Sequence, residues 1–251
     1  MFRGFYISAN NIINQERSLN VISNNMANSS TAGYKREESI PERFEERLLL
    51  LRNGRDRSGT ISYRTQDYTW TDTEQDTLEY TYKPLDIALI GNVFFNIEDR
   101  ISGEQMLTRN GQFNIDGEGY LALGSSGRIL DANGQYIRLG TSDFTVSEDG
   151  VITAEDGRTF TLGLTYIDEQ TDMERVRDNM FRPFQNVPIG NIPNGENFKV
   201  VQGAYERSNV DIGEEMVDAM ARQRSFEASV QAMQIMNSIN QIAANDLMKI
   251  N

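Results

Sequence analysis

Cysteine and histidine are both absent from this chain of 251 residues. Their absence excludes disulfides, thiol nucleophiles, zinc sites built from these residues, and every acid–base mechanism that uses an imidazole. We therefore expect no catalytic residue, no metal site and no other cofactor. A chain without cysteine suits an oxidising compartment, but many cytosolic proteins also lack the residue, so cysteine usage leaves the compartment open.

Long apolar runs are absent as well. Hydrophobic residues make up 38% of the chain, and the mean hydropathy is −0.53. No stretch approaches the ~20 apolar residues of a membrane-spanning helix, and residues 1–11 contain no apolar segment of signal-peptide length. We expect an extended, surface-rich subunit of a larger assembly. If the protein is exported, we expect it to use a route without a cleaved signal.

Positive charge is scarce. The chain has 24 lysines and arginines against 37 acidic residues, which gives a formal net charge of −13. Because phosphate contacts need basic side chains grouped on one face, neither nucleic acid nor an anionic membrane surface is favoured as a partner. The length leaves room for one large domain or two smaller ones.

Two segments at opposite ends of the chain carry apolar residues at heptad spacing, which predicts an amphipathic helix at each end. The first covers residues 4–28, and its stripe contains Phe5, Ile12, Leu19, Ile22 and Met26. The second reaches about residue 247, and its stripe contains Ile212, Met216, Ala219, Phe226, Val230 and Met233. Matched helices at both termini are typical of chains that assemble.

The start of the second helix is marked by polar residues from Ser208 to Asp211, followed by Glu214 and Glu215 in the first turn, where the helix dipole favours negative charge. Polar residues also lie at or beside the apolar stripe, among them Gln223. A coiled coil with such a stripe is weak alone, so we expect these helices to need neighbours.

The middle of the chain reads as β structure. Short apolar runs between Pro84 and Tyr166 are separated by turn dipeptides at Asn110, Asp116, Asn133, Asp149 and Asp156, each followed by glycine. This pattern predicts an antiparallel β domain over 83–167. Residues 36–82 are expected to form an extended arm or hairpin linker, and the prolines of 168–204 predict an irregular connector. The fold class is α+β: residues 1–35 and 205–251 form a discontinuous helical assembly domain, with the helices packed as a coiled-coil-like pair.

Acidic pairs such as Asp116 with Glu118, or Asp149 with Asp156, raise the alternative of a glycosidase. Each pair lies in or beside a predicted turn, where aspartate is favoured for its hydrogen bonds to the backbone, so we prefer the structural interpretation. The spacing also lacks the ligand set of an EF-hand calcium loop. Trp70 is either an exposed contact residue or an anchor of the arm, and its pattern does not decide between the two.

Two motifs carry a resemblance to a known family. The run from Ser23 to Lys35, SNNMANSSTAGYK, resembles the N-terminal signature of bacterial flagellar rod and hook proteins. The run from Ser208 to Asp211, with QRSFE beginning at Gln223, is similar to the second signature of that family. The segments Pro84 to Leu89 and Leu107 to Phe113 resemble the central β domain of rod subunits. One departure is Ala32, where the family commonly has proline.

The resemblance implies a structural subunit of the flagellar basal-body rod rather than an enzyme. It implies that the terminal helices line a hollow tube, that the β domain lies outside, and that heterologous contacts propagate a helical lattice. The implied partners are further copies of the chain, other rod proteins, the surrounding basal-body rings, and the flagellar export apparatus that delivers the unfolded subunit to the periplasmic rod.

The short segment between the N-terminal signature and Pro84 favours a proximal rod subunit. A distal rod or hook-type axial subunit is the alternative. An acidic β-rich cell-wall glycan hydrolase or binding module is the alternative from another class.

We expect the assembly interface to combine the heptad stripes with residues of the two signatures. It comprises Phe5, Ile12, Leu19, Ile22, Asn24, Asn25, Met26, Asn28, Gly33, Tyr34, Ser208, Asn209, Val210, Ile212, Met216, Ala219, Gln223, Arg224, Phe226, Glu227, Val230 and Met233.

Overall fold

A computed structural model describes residues 2–40, 68–168, 173–183, 190, 192 and 197–249. The chain forms two compact units. Unit 1 consists of Met1–Ala27, Glu37–Trp70 and Asp211–Asn251, and unit 2 consists of Asn28–Arg36 and Thr71–Val210. The predicted α+β class is confirmed, because a helix stands at each end of the chain and antiparallel sheets lie between them.

Unit 1 contains the two helices, α1 (Phe2–Ala27) and α2 (Ile212–Lys249), which pack against each other. Strand β1 (Glu37–Ile40) pairs with β2 (Tyr68–Thr71). The predicted start of α2 is confirmed: the Asp211 carboxylate accepts the backbone N–H groups of Gly213 at 2.7 Å and Glu214 at 3.4 Å. These bonds satisfy two of the donors that every helix leaves unpaired in its first turn. Most of the predicted arm, 41–67, lies outside the described residues.

Unit 2 is built from short strands, and each strand pair whose register is defined in its described residues is antiparallel. The strands are β3 (Leu78–Tyr80), β4 (Ile87–Ile90), β5 (Val93–Asp99), β6 (Gln105–Thr108), β7 (Asn114–Ile115), β8 (Leu121–Leu123), β9 (Gly127–Ile129), β10 (Phe144–Val146), β11 (Val151–Ala154), β12 (Thr159–Thr161), β13 (Leu164–Tyr166), β14 (Met173–Arg177), β15 (Met180–Pro183), β16 (Lys199–Gln202) and β17 (Ala204–Glu206). The described part of the predicted connector, 168–204, thus contains β14, β15 and β16.

The largest sheet runs in the order β14-β15-β6-β5-β9-β8-β7, and β13 pairs with the first half of β5. A second sheet has the order β10-β11-β12, while β16 pairs with β4 and β17 pairs with β3. Strands from the last part of unit 2 therefore pair with strands from its first part. This long-range pairing brings the segment before α2 beside the segment that opens the β region.

The core of unit 2 lies on both faces of β5. Phe95 belongs to the main apolar cluster and stacks edge-on against Phe113 at 4.9 Å between ring centroids. Its neighbour Phe94 lies in a smaller cluster with Leu107 and Phe181. Successive side chains of a strand point to opposite faces, so β5 reads as a continuous apolar run in the sequence because both faces are covered.

The turn dipeptides do not all serve the same purpose. Gly150 closes the β10–β11 hairpin: its N–H donates to the Ser147 carbonyl at 3.0 Å, and its φ is +81°. Gly111 has no positive φ. A Cβ there would lie 1.7 Å from the carbonyl oxygen of Ile87, so glycine is needed at this position for close approach of two backbones.

Candidate assembly interface

The side of α1 that is buried within unit 1 is mostly polar. Ser8, Ser18, Ile22 and Asn25 are buried there. Of the predicted stripe, Ile22 is thus buried, Ile12, Leu19 and Met26 are half-buried, and the neighbouring Asn24 is exposed. Phe5 belongs to α1, but its side chain lies outside the described ones. Among the described side chains of α1, the buried ones therefore combine one stripe residue, Ile22, with three polar residues.

The buried side of α2 also differs from the predicted stripe. Glu215 is its one buried residue among the described side chains, and the half-buried ones are Asp218, Ala219, Arg222, Phe226, Ser229, Val230, Ala232, Met233 and Met236. Ile212 and Met216 are exposed, as are Gln223, Arg224 and Glu227. The prediction counted apolar residues only, and polar side chains at Glu215, Arg222 and Ser229 give no hydrophobic signal.

A second set of apolar residues on α2 faces away from this inner side. Val217, Met220, Ile235, Ile239 and Ile242 are exposed by 53–62% and have helical spacing within each half of α2. We call these five residues the outer row. Exposed apolar side chains that share one face of a helix mark a surface for a partner.

Asn25 joins three segments of unit 1. Its side-chain amide donates to the Glu37 carbonyl at 2.8 Å and to the Glu215 carboxylate at 3.3 Å, and its amide oxygen accepts the Glu37 N–H at 3.1 Å. A primary amide can donate and accept at once, which a carboxylate cannot. Asn25 thereby fixes the end of α1, the start of β1 and the first turn of α2 against one another.

The two signature motifs meet inside unit 2. The N–H of Gly33 donates to the Glu206 carbonyl at 2.7 Å, and the N–H of Arg36 donates to the Asn209 side-chain oxygen at 2.7 Å. The N–H of Asp72 donates to the Arg36 carbonyl at 2.9 Å. We call residues 32–36 and 206–209 together the signature junction. Of the predicted interface, Gly33, Tyr34, Ser208 and Val210 are buried within one subunit, while Asn28 and Asn209 are half-buried.

Glycine is required at position 33 for two reasons. The residue has a φ of +62°, and a Cβ there would lie 2.4 Å from the carbonyl carbon of Arg109. The neighbouring Ala32 is buried, and its carbonyl accepts a hydrogen bond from the Asn179 amide at 3.2 Å. The signature turn therefore lies directly on the backbone that follows β6.

Arg175 covers the next residue of the turn. Its guanidinium carbon lies 4.0 Å from the centre of the Tyr34 ring, and its Nη2 donates to the Lys35 carbonyl. A cation over an aromatic face is attracted by the ring quadrupole. Through Arg175, strand β14 thereby contacts two residues of the N-terminal signature.

A buried ionic cluster binds Lys35 of the N-terminal signature. The Nζ of Lys35 lies 2.7 Å from Oε1 of Glu206 and 2.5 Å from the Glu74 carbonyl oxygen. The Nε of Arg109 lies 2.5 Å from Oε2 of Glu206, and its other nitrogens donate to the carbonyls of Leu89 and Val93.

All three charged side chains of this cluster are at most 3% exposed. Burial lowers the pKa of Lys35, the Glu206 charge opposes this shift, and the Arg109 charge adds to it. The sequence interpretation missed Glu206 and Arg109, because neither belongs to a local pattern that points to Lys35.

Three of the four carboxylates that prompted the glycosidase alternative, Asp116, Glu118 and Asp156, are held in ion pairs. Arg128 lies 2.7 Å from both Asp116 and Glu118, and Arg158 lies 2.6 Å from Asp156. The pKa of Asp116 is lowered, first by the backbone N–H of Tyr120 and also by Arg128, and hydrogen bonds from Arg158 lower the pKa of Asp156. A glycosidase needs one carboxylic acid whose pKa is raised, so both shifts have the wrong sign for that role.

Among the residues that the structure describes, no helix is both long and apolar enough to cross a membrane. Within the same ranges, no group of three or more carboxylates is arranged to hold a metal ion.

The arrangement defines a class of protein: an α+β subunit whose chain ends form a helix pair and whose two signature motifs join in a β unit. Three family models match the chain in order along its length. "Flagella basal body rod protein" matches residues 5–35, "Flagellar hook protein FlgE/F/G D1 domain" matches 88–154, and "Flagellar basal body rod FlgEFG protein C-terminal" matches 201–247.

Whole-length relatives agree with these matches. The flagellar basal-body rod protein FlgF of Caulobacter vibrioides is 25% identical over 255 residues, which cover 100% of both chains. FlgF of Rhizobium meliloti is 28% identical over 230 residues and 90% of each chain. FlgG of Agrobacterium fabrum is 25% identical over 268 residues, or 98% of this chain and 99% of the relative. The chain belongs to the flagellar basal-body rod protein family.

Proposed function

We propose that this protein is a structural subunit of the flagellar basal-body rod, without catalytic activity, which polymerises through its terminal helices into the helical tube of the drive shaft. The observation that carries the proposal is the outer row of α2. Its five apolar side chains remain exposed although the opposite side of the helix is packed on α1. Burial of a Val, Ile or Met side chain contributes about 1.5–3 kcal/mol, so contacts along this row favour association.

The kind of residue that is buried in the two helices supports the same proposal. The polar residues Ser18 and Asn25 of α1 and Glu215 of α2 are buried, and Asn25 contacts Glu215 across the helix pair. Such a pair gains little from hydrophobic burial within one subunit, and most helical stability comes from tertiary packing. The proposal also includes coiled-coil packing of the two helices and a role for residues 36–82 as an extended arm or hairpin linker.

The proposed partners are further copies of this chain, other rod proteins, the surrounding basal-body rings, and the export apparatus during secretion. The proposed location is the periplasmic rod of the flagellar basal body. A proximal position is supported by the short segment between the N-terminal signature and Pro84. Imaging of basal bodies from a null mutant tests the position: a rod that ends close to the inner membrane supports it, and loss of the distal segment alone contradicts it.

Deletion of Ile212–Asn251 tests the function. The deletion removes α2 but keeps Ser208, Asn209 and every strand of unit 2. We expect a soluble chain with a folded β unit that is absent from purified basal bodies. Rods of normal length built from the truncated chain would contradict the proposal.

A variant with point substitutions tests the role of the outer row in assembly without removing the whole of α2. Serine at Val217, Met220, Ile235 and Ile239 removes the apolar character of the outer row while leaving the inner side intact. We expect normal helix content by circular dichroism and no incorporation into rods. Serine at the exposed Gln231 and Gln234 is the matched control, and it should incorporate normally.

A further inference from the structure

We propose that Lys35 and Glu206 form a charge-dependent lock, which lets the N-terminal signature dock in unit 2 only when the segment around Glu206 is already in place. This inference goes beyond the rod function, because it concerns how one subunit completes its own fold.

The cluster contains two cations and one carboxylate, so its members are not equivalent. One oxygen of Glu206 pairs with Lys35 at 2.7 Å and the other pairs with Arg109 at 2.5 Å. Removal of the Lys35 charge leaves the balanced Arg109–Glu206 pair. Removal of the Glu206 charge leaves two buried cations with no paired carboxylate, and Asp72 then acts on Lys35 only as a nearby charge. The second change is far more unfavourable, because an uncompensated buried charge is strongly destabilising.

Docking of the signature depends on Glu206 for the same reason. Lys35 is fully buried, and burial of an ammonium group away from water is unfavourable unless it is paired. Lys35 therefore opposes docking of the N-terminal signature until the Glu206 carboxylate is in place to pair with its ammonium group. A neutral side chain of similar length, such as methionine, would impose no such condition.

Glu206 reaches this position only after a long-range pairing step. It is the last residue of β17, where it lies opposite Leu78 of β3. Its backbone carbonyl receives the N–H of Gly33, and its Oε1 accepts the N–H of Asp76 at 3.3 Å. The lock thus joins residue 35 to a strand 171 positions later in the chain. A chain that lacks β17, or has not yet paired it, keeps the signature undocked.

A double-mutant cycle in the full chain tests the lock. The variants are Lys35→Met, Glu206→Gln and the combination of both. The readout is hydrogen exchange at the amides of Gly33 and Arg36, which donate across the signature junction. We expect protection within about tenfold of wild type in Lys35→Met, and a loss of about a hundredfold or more in Glu206→Gln. The loss caused by Glu206→Gln should be at least about tenfold smaller when residue 35 is methionine.

Equal losses from Glu206→Gln in both backgrounds would overturn the proposal, because Lys35 would then impose no condition. If Glu206→Gln fails to fold, Glu206→Asp takes its place in the cycle, since it keeps the charge but withdraws it from Lys35. The same two outcomes apply to that cycle.

The exposed pair Arg182 and Glu104, whose side chains are 45% and 55% exposed, supplies the matched control. The cycle of Arg182→Met with Glu104→Gln uses the same kinds of substitution on the surface of unit 2. Exposed pairs contribute little, so we expect less than about fivefold coupling there. Coupling at Lys35 and Glu206 no larger than in this control would also overturn the lock.

Discussion

The side-chain amide of Asn25 donates a hydrogen bond of 3.3 Å to the carboxylate of Glu215, a residue 190 positions away. Both side chains are buried, at 1% and 0% exposure. The last turn of α1 is therefore joined to the first turn of α2 by a buried polar contact. A specific polar pair at a helix contact fixes the register of the two helices at some cost in stability.

Asn25→Asp should disrupt this contact. The substitution removes both donor bonds of the amide and places a second carboxylate beside the buried Glu215. We expect a loss of about 3 kcal/mol in the unfolding free energy followed by the helical circular dichroism signal. Asn20→Asp, at an exposed position of the same helix, is the control and should change stability by less than about 0.5 kcal/mol. Equal effects at the two positions would contradict the role of Asn25.

Gly33→Ala separates backbone strain from steric conflict when it is compared with Gly103→Ala. Both glycines have a similar positive φ, +62° and +69°, but a Cβ at Gly103 meets no atom within 4 Å. We expect about 1 kcal/mol of destabilisation at Gly103 from strain alone, and about 2–4 kcal/mol at Gly33, where the backbone of Arg109 is also in the way. Chemical unfolding of unit 2 measures both values, and equal losses would show that the signature turn does not need this close approach.

The stability of unit 2 should depend on pH through Lys35. Its pKa is lowered in the folded state, mainly by burial, so the unfolded chain binds the proton more tightly. Stability therefore rises with pH in the range below the ordinary lysine pKa of about 10.4. Glu206, Arg109 and Asp72 are the charged groups that act on Lys35, and subtracting the same curve for Lys35→Met isolates its contribution.

The measurement is the unfolding free energy of both chains from about pH 8 to about pH 10. We expect the difference to move in favour of the wild-type chain as the pH increases. A movement in favour of Lys35→Met would mean that the ion pair, rather than burial, dominates the titration of Lys35.

Sequence patterns correctly predicted those structural elements that are determined by residues close together in the chain. The start of α2 followed from Asp211 and the acidic residues after it, and the β10–β11 hairpin followed from its Asp-Gly turn. Heptad counting found both helices and put Met216 in the apolar stripe of α2, whereas the buried residue in that turn is Glu215. A count of apolar residues cannot find a contact that is formed by polar ones.

The ionic cluster was beyond sequence reasoning for a different reason. Lys35 stood in the quoted N-terminal signature, yet nothing near it in the chain indicates a buried partner. Glu206 is adjacent to the second signature and Arg109 follows β6, and only the pairing of β17 with β3 brings the three together. Charges that are distant in sequence carry no periodicity from which their contact can be predicted.

The hydrogen bond from the Asp72 N–H to the Arg36 carbonyl has a consequence for the length of the chain between them. Its two ends, Arg36 and Asp72, are held 2.9 Å apart from carbonyl oxygen to amide nitrogen, and β1 and β2 pair next to them in the chain. Any chain that connects β1 to β2 has to close at this one point, whatever its length. Loop-closure entropy changes by only about 0.6 kcal/mol for each doubling of loop length. The hydrogen bond between Arg36 and Asp72 is therefore compatible with connections of very different length between β1 and β2.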